Sequence, residues 1–150
     1  PADVAIFAAA VADWRVANRG EQKIKKTASG FPQLDLVENP DILATIAYRT
    51  EGRPPLVIGF AAETEHLLDN ARSKLARKGC DWIVANDVSP ATGIMGGDRN
   101  TVHLISKDDG AADGVRIDSW PAMGKDQVAT HLVEQIAATL KKDTPKKHAP

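Results

Sequence analysis

Cysteine is nearly absent from this sequence. Cys80 is the single one among 150 residues, so an intrachain disulfide is excluded and a reducing compartment is expected. Cys80 follows an Arg-Lys-Gly run at an expected helix end and reads as a partly buried structural thiol. No apolar run approaches the roughly 18 residues that a membrane span needs. No signal-peptide pattern precedes the first apolar run, and the expected location is the cytoplasm. Neither sign of charge dominates: 19 Lys and Arg stand against 20 Asp and Glu, for a formal net charge of -1. The surface as a whole has no pull toward nucleic acid or anionic lipid, so any anion site must be local. His66, His103, His131 and His148 show no metal-ligand spacing. There is no G-x-G-x-x-G turn, which disfavours half of an NAD-binding dehydrogenase. Walker A, G-x-S-x-G, zinc and EF-hand patterns are missing too.

What is present is the material of one soluble α/β domain. Hydrophobic residues make up 43% and charged residues 26%, both ordinary for a chain with a real core. Val4 to Ala12 is continuously apolar, as a parallel strand covered on both faces would be. Leu56 to Ala62 and Trp82 to Ala85 repeat that pattern, which predicts three parallel strands, all central. Asn39-Pro40-Asp41-Ile42 predicts a helix start, with Asn as cap and Pro in the first turn. A second helix is expected from about Thr64 to Lys78, ended by Gly79. Thr101 to Ile105 and Val115 to Asp118 predict an antiparallel hairpin. A last helix is expected from Lys125 to Lys141, with Val128, Leu132, Ile136 and Leu140 in register. The order is that of a doubly wound, mostly parallel sheet occupying residues 1–142, with a disordered tail at 143–150.

Ligands in such sheets bind outside the carboxyl ends of the strands. Three expected strand ends carry polar residues: Asp13-Trp14-Arg15, Glu63-Thr64 and Asn86-Asp87. Between the first strand and the first helix lies a basic run, Lys23-Ile24-Lys25-Lys26. It reads either as a solvated loop or as a flap that brings an ammonium group over a phosphate. The Asn39 helix start offers free N–H groups to an anion, or is an ordinary capped helix. Lys74 and Lys78 lie four apart and share a helix face. They serve solubility, or, if they point into a pocket, they neutralise a polyphosphate or touch a base and ribose.

Five blocks occur in order: Ala9 to Arg15, Lys23 to Lys26, Asn39 to Ile42, Gly59 to Thr64, and Ala85 to Ser89. Together they make the chain resemble the ligase domain of bacterial phosphopantothenate–cysteine ligase, over about residues 1–141. The resemblance implies a Rossmann-like fold and a part in coenzyme A biosynthesis. The family joins 4′-phosphopantothenate to cysteine with CTP and Mg²⁺. The carboxylate attacks the α-phosphate to give an acyl-cytidylate and pyrophosphate, and the cysteine amine then displaces CMP.

The implied CTP site comprises Phe7, Ala8, Ala9, Asp13, Lys23, Asn39, Pro40, Asp41, Ile42, Phe60, Lys74 and Lys78. Lys23 is the implied catalytic residue, handling the acyl-cytidylate. Asn39 to Ile42 would stand near the triphosphate. The family is often fused behind a flavin-dependent decarboxylase, so FMN is expected only there. It also dimerises, and residues 88–120 are the expected contact. The family's Gly-rich first strand turn and an Asn-bearing segment have no counterpart here. The chain is therefore expected to be N-terminally truncated, complete for the nucleotide and inactive alone. A non-catalytic nucleotide-binding module on the same fold is the competing reading; such a module needs no Lys23 flap.

Overall fold

The computed structural model describes residues 1–9, 11–18, 34–89 and 99–143, with side chains as far as 141. The basic run with Lys23, residues 90–98 and the expected tail beyond 143 lie outside the described residues.

Five strands form the main sheet: β1 (Val4–Phe7), β4 (Leu56–Glu63), β5 (Trp82–Asp87), β7 (Val102–Lys107) and β8 (Val115–Ser119), in the order β1-β4-β5-β7-β8. β1, β4 and β5 run parallel, with Phe7 beside Gly59 and Gly59 beside Ile83. β7 pairs antiparallel with β5 and β8 with β7, so the expected hairpin extends the same sheet. Helices cover both faces. On one side, α1 (Ile42–Ala47) and α2 (Leu67–Lys78) bury Leu43, Ala47, Ala71 and Leu75 against Val57, Ala61 and Ile83. On the other, α3 (Lys125–Asp143) lays Leu132 and Ile136 over Ile58, Val84 and Leu104, with Trp120 beside them. Val128 and Leu140 pack at the margin, so all four residues expected in register face the core. None of the described helices is long and apolar enough to cross a membrane.

The first strand differs from its expected form in two ways. It ends at Phe7 rather than Ala12, and it lies at the edge of the described sheet, not at its centre. Ala8 and Ala9 are exposed and Val11 is 57% exposed. The apolar run thus divides: its first half pairs with β4 and its second half leaves the sheet. Periodicity alone reads both halves as strand, because both are apolar.

The excursion after β1 holds structure that its polar composition hides. β2 (Trp14–Val16) pairs antiparallel with β3 (Leu36–Glu38) in a two-stranded ribbon. A second small ribbon joins β6 (Arg99–Asn100) to β9 (Met123–Gly124). Strands of two or three residues carry no usable periodicity.

The helix ends follow capping chemistry. Asp41, not Asn39, caps α1: its carboxylate accepts from the Ala44 N–H at 3.0 Å, and Ile42 is the first helical residue. Both residue types cap well, but the Asn39 amide is committed elsewhere. α2 starts at Leu67 rather than Thr64, because β4 continues to Glu63 in register with Asp87. His66 at its start holds a left-handed φ of 49° without a side-chain cap. Gly79 ends α2 at φ 67°, with the Tyr48 ring packed where a Cβ would stand. Cys80 is fully buried, and burial pushes its thiol pKa up, which keeps it protonated and inert.

Candidate nucleotide cleft

A cleft of about 310 Å³ opens at the carboxyl end of β1. Its walls come from four places. Phe7, Ala8, Ala9 and Asp13 arrive on the β1 exit. Asn39, Pro40, Asp41 and Ile42 lead into α1. Phe60 comes from β4, and Lys74 and Lys78 from α2. These are all eleven described residues of the expected site; the twelfth, Lys23, lies outside the described residues. Ile6, Val11, Ala12 and Leu43 also line the cleft. Val11 and Ala12 went unread because the run containing them looked like a single strand. Their exposure within an apolar sequence is what a ligand-facing segment produces.

The β1 exit is tied down by Asn39. Its side-chain amide donates to the Ala12 carbonyl at 2.7 Å, and its backbone N–H donates to the Asp13 carbonyl at 2.8 Å. Arg15 in turn donates to the Asn39 side-chain oxygen at 3.2 Å and to the Glu38 carbonyl. Arg15 and Asn39 therefore fix the part of the wall formed by Ala12 and Asp13. The sequence marks Arg15 only as a polar residue near a strand end.

Charge in the cleft is balanced and unevenly paired. Lys78 donates to the Asp41 carboxylate; the Lys78 side chain is 16% exposed and that of Asp41 40%. Lys74 has no hydrogen-bond or ion-pair partner among the described residues, and neither does the Asp13 carboxylate. Burial works to raise the Asp41 pKa, but the Ala44 N–H, the Lys78 hydrogen bond and the nearby Lys78 and Arg77 charges outweigh it, and the net shift is downward.

A carboxyl group whose pKa is lower folded than unfolded contributes stability that is fully present above its unfolded pKa, about 4. That stability is lost as pH falls through the lowered folded value. Thermal midpoints measured from pH 7 to 3 should fall more steeply in the wild type than in Asp41→Asn. Coincident acid limbs would remove Asp41 from the acid response.

At the end of β5, Asp87 accepts from the Ser89 N–H at 2.8 Å, and its hydrogen bonds to Ser89 lower its pKa. Asp87 and Asn86 are not on the cleft wall. Among the described residues no group of three or more His, Cys, Asp or Glu is arranged to hold a metal.

Fold and cleft define a Rossmann-like α/β domain that opens where such sheets take their ligands, beyond the carboxyl ends of parallel strands. Residues 1–140 match the family model described as DNA/pantothenate metabolism flavoprotein C-terminal domain, and the chain belongs to that family. Among curated relatives it is 42% identical over 132 residues to the coenzyme A biosynthesis bifunctional protein CoaBC of Vibrio cholerae, covering 87% of this chain and 31% of that protein. It is 40% identical to CoaBC of Mycolicibacterium smegmatis, covering 93% of this chain and 34% of that protein. A crystal structure of the C-terminal domain of CoaBC superposes with a TM-score of 0.65 at 30% identity, covering 94% of this chain and 56% of that one. The chain spans about a third of the length of the curated relatives it matches.

Proposed function

We propose that this chain is the CTP-binding part of a ligase that joins 4′-phosphopantothenate to L-cysteine in coenzyme A biosynthesis. One observation carries the reading. Residues scattered from Phe7 to Lys78, which the family resemblance assigns to CTP, converge on one cleft. A non-catalytic module on the same fold accounts less well for Lys23 in the flap.

The chemistry asks two things of the protein. First, a substrate carboxylate oxygen bonds to the α-phosphorus while the bridge to the β-phosphate breaks and pyrophosphate leaves. Then the cysteine amine attacks the acyl carbon, loses a proton, and displaces CMP. The protein's part in both is to position the reacting groups and offset charge. Phe7, Ile42 and Phe60 offer apolar surface to a flat base, and Ala8 and Ala9 leave the backbone open to close approach. Lys74, unpaired among the described residues, is available to a phosphate oxygen. Lys23 is assigned to charge developing at the α-phosphate and acyl group.

Mg²⁺ fits the donor set in one way. Hard cations take oxygen ligands, and Mg²⁺ in phosphate sites is held by one or two carboxylates plus the phosphates themselves. Asp13 supplies one such carboxylate on the cleft wall; bound there, the ion would screen the phosphate charge. In the whole protein we place this part as a homodimer in the cytoplasm, behind a flavin-dependent decarboxylase that alone carries FMN.

Calorimetric titration of the chain with CTP, UTP, ATP and NAD in the presence of Mg²⁺ tests the reading. CTP is expected to bind most tightly. Equal affinity for all four, or no binding of CTP, would sink the ligase assignment.

A further inference from the structure

Arg15 does not line the cleft, yet it holds part of what does. β1 ends at Phe7, and Ala12 and Asp13 belong to no strand. Their two carbonyls are held by one residue: the Asn39 side-chain amide donates to Ala12 and the Asn39 N–H donates to Asp13. Arg15 stands on β2 opposite Val37 of β3, and its Nη1 donates both to the Asn39 side-chain oxygen and to the Glu38 carbonyl. Arg15 and Asn39 are both half-buried.

Arg15 sets the order of donors and acceptors along this line. A guanidinium only donates, a carbonyl only accepts, and a carboxamide does one at each end. The Asn39 oxygen therefore turns to Arg15 and its NH2 group to Ala12. Among the described residues Arg15 is the one donor to that oxygen. Without it the amide can turn over about its terminal torsion, which has two near-equivalent settings. The turned amide sets its oxygen against the Ala12 carbonyl, acceptor against acceptor. The Asp13 carboxylate has no partner of its own among the described residues, so its place is set by the backbone that Asn39 holds.

Resting on the CTP reading above, we propose that Arg15 is a positioning residue: through the Asn39 amide it holds the Asp13 carboxylate ready for the divalent cation that accompanies a triphosphate. Groups that orient a metal's ligands matter nearly as much as the ligands, and their loss typically weakens metal binding about 10–100-fold. Two other roles for Arg15 make different demands. A charge that attracts the triphosphate would matter most for the bare nucleotide, which is the more anionic form. A strut for the ribbon alone would affect stability and leave the cation out. Among the described residues the ribbon gives none to either core cluster, so its loosening leaves the main sheet and its helices packed.

The chain is titrated calorimetrically with CTP, once with Mg²⁺ and once with EDTA at matched ionic strength. The readout is the gain in CTP affinity that Mg²⁺ confers. The wild type is expected to show a gain, and Asp13→Asn to lose most of it. Arg15→Met, close in length but without donors, should cut the gain by up to about tenfold, while CTP affinity in EDTA changes by less than about threefold. Arg15→Lys keeps a charged donor and should recover part of the gain. Arg15→Met combined with Asp13→Asn should lose no more of it than Asp13→Asn alone, because both changes act on one contact. Should Arg15→Met fail to fold, Asn39→Ala cuts the same line at its middle and is expected to lose the same gain. A wild type that binds CTP without a gain from Mg²⁺, an unchanged gain in Arg15→Met, an equal loss with and without Mg²⁺, or independent losses in the double variant each overturns this inference and leaves the ligase reading standing. A wild type that does not bind CTP overturns both.

Discussion

Replacing Asp81 with Ala should cost about 3 kcal/mol of folding stability, more than removal of any exposed ion pair. Asp81 sits just before β5, at the amino ends of the parallel strands. One of its carboxylate oxygens accepts the Val57 N–H at 2.7 Å, and Val57 is completely buried. Both oxygens accept from the Arg53 Nη2 at 2.9 Å. Arg53 also donates to the carbonyls of Ala47 at 2.7 Å and Pro54 at 3.0 Å. One carboxylate therefore joins the end of α1, the entry to β4 and the entry to β5.

In Asp81→Ala the Val57 N–H loses its partner where no water reaches it, at a cost of about 1–3 kcal/mol. The Arg53 guanidinium, half-buried, loses its counter-charge as well. Asp81→Asn keeps an acceptor for Val57 and should lose only about 1 kcal/mol. Urea denaturation of the two variants makes the comparison. Because the stitch lies at the end of the sheet opposite the cleft, CTP affinity in the folded protein should be unchanged. Equal losses in the two variants would mean that the Val57 hydrogen bond is not what matters.

Gly59→Val should damage stability and binding together. Gly59 lies in β4 between Phe7 and Ile83. A Cβ there would stand 2.6 Å from the Leu43 Cδ2 and 3.0 Å from the Ile83 Cδ1. Both methyls are side-chain ends and must shift to admit a side chain there, within the core cluster that Leu43 and Ile83 share. Overpacking of this kind costs about 1–3 kcal/mol, and Val exceeds Ala. Valine, larger than the methyl of alanine, is expected to push α1 away from the sheet as well. Leu43 is two residues from Asp41, so lifting α1 pulls Asp41 away from Lys78 and Ile42 out of the cleft wall.

CTP affinity should then fall by more than about tenfold in protein that remains folded, a change on the order of 1.4 kcal/mol. A double variant, Gly59→Ala with Leu43→Ala, separates the causes. Its loss of stability should be smaller than the sum of the two single losses, because the smaller side chain vacates the space the new methyl needs. Additive losses would show that the two positions do not share a boundary.

The sequence was most legible where a residue's use is local. Gly79 was readable as a helix end because a left-handed φ is what a glycine there supplies. The buried β4 and β5 were readable as apolar runs, and α3 from the spacing of Leu132 and Ile136. The cleft was readable through five ordered blocks rather than through any one residue. What escaped was decided by tertiary context. Nothing local distinguishes Asn39 from Asp41 as a cap; the demand of the Ala12 carbonyl for the Asn39 amide settles it. Nothing in the apolar run from Val4 to Ala12 marks where pairing with β4 stops. The Arg15 clamp depends on the ribbon of β2 and β3, which is too short to announce itself.

β1 reaches β4 only after the chain has travelled through the ribbon and α1, and among the described strands it pairs with β4 alone. β4 and β5 are gripped on both sides and joined by a single helix. In hydrogen-exchange terms β1 belongs to the portion of the molecule that opens first, and β4 and β5 to the portion that opens only with global unfolding. When β1 detaches, the wall that carries Ala8, Ala9 and Asp13 goes with it, and that side of the cleft disappears while the core survives. A nucleotide bridging that wall to α2 fastens the loosest strand of the sheet to its interior. Occupancy of the cleft should therefore register as slower exchange in β1, far more than in the strands that bear the core.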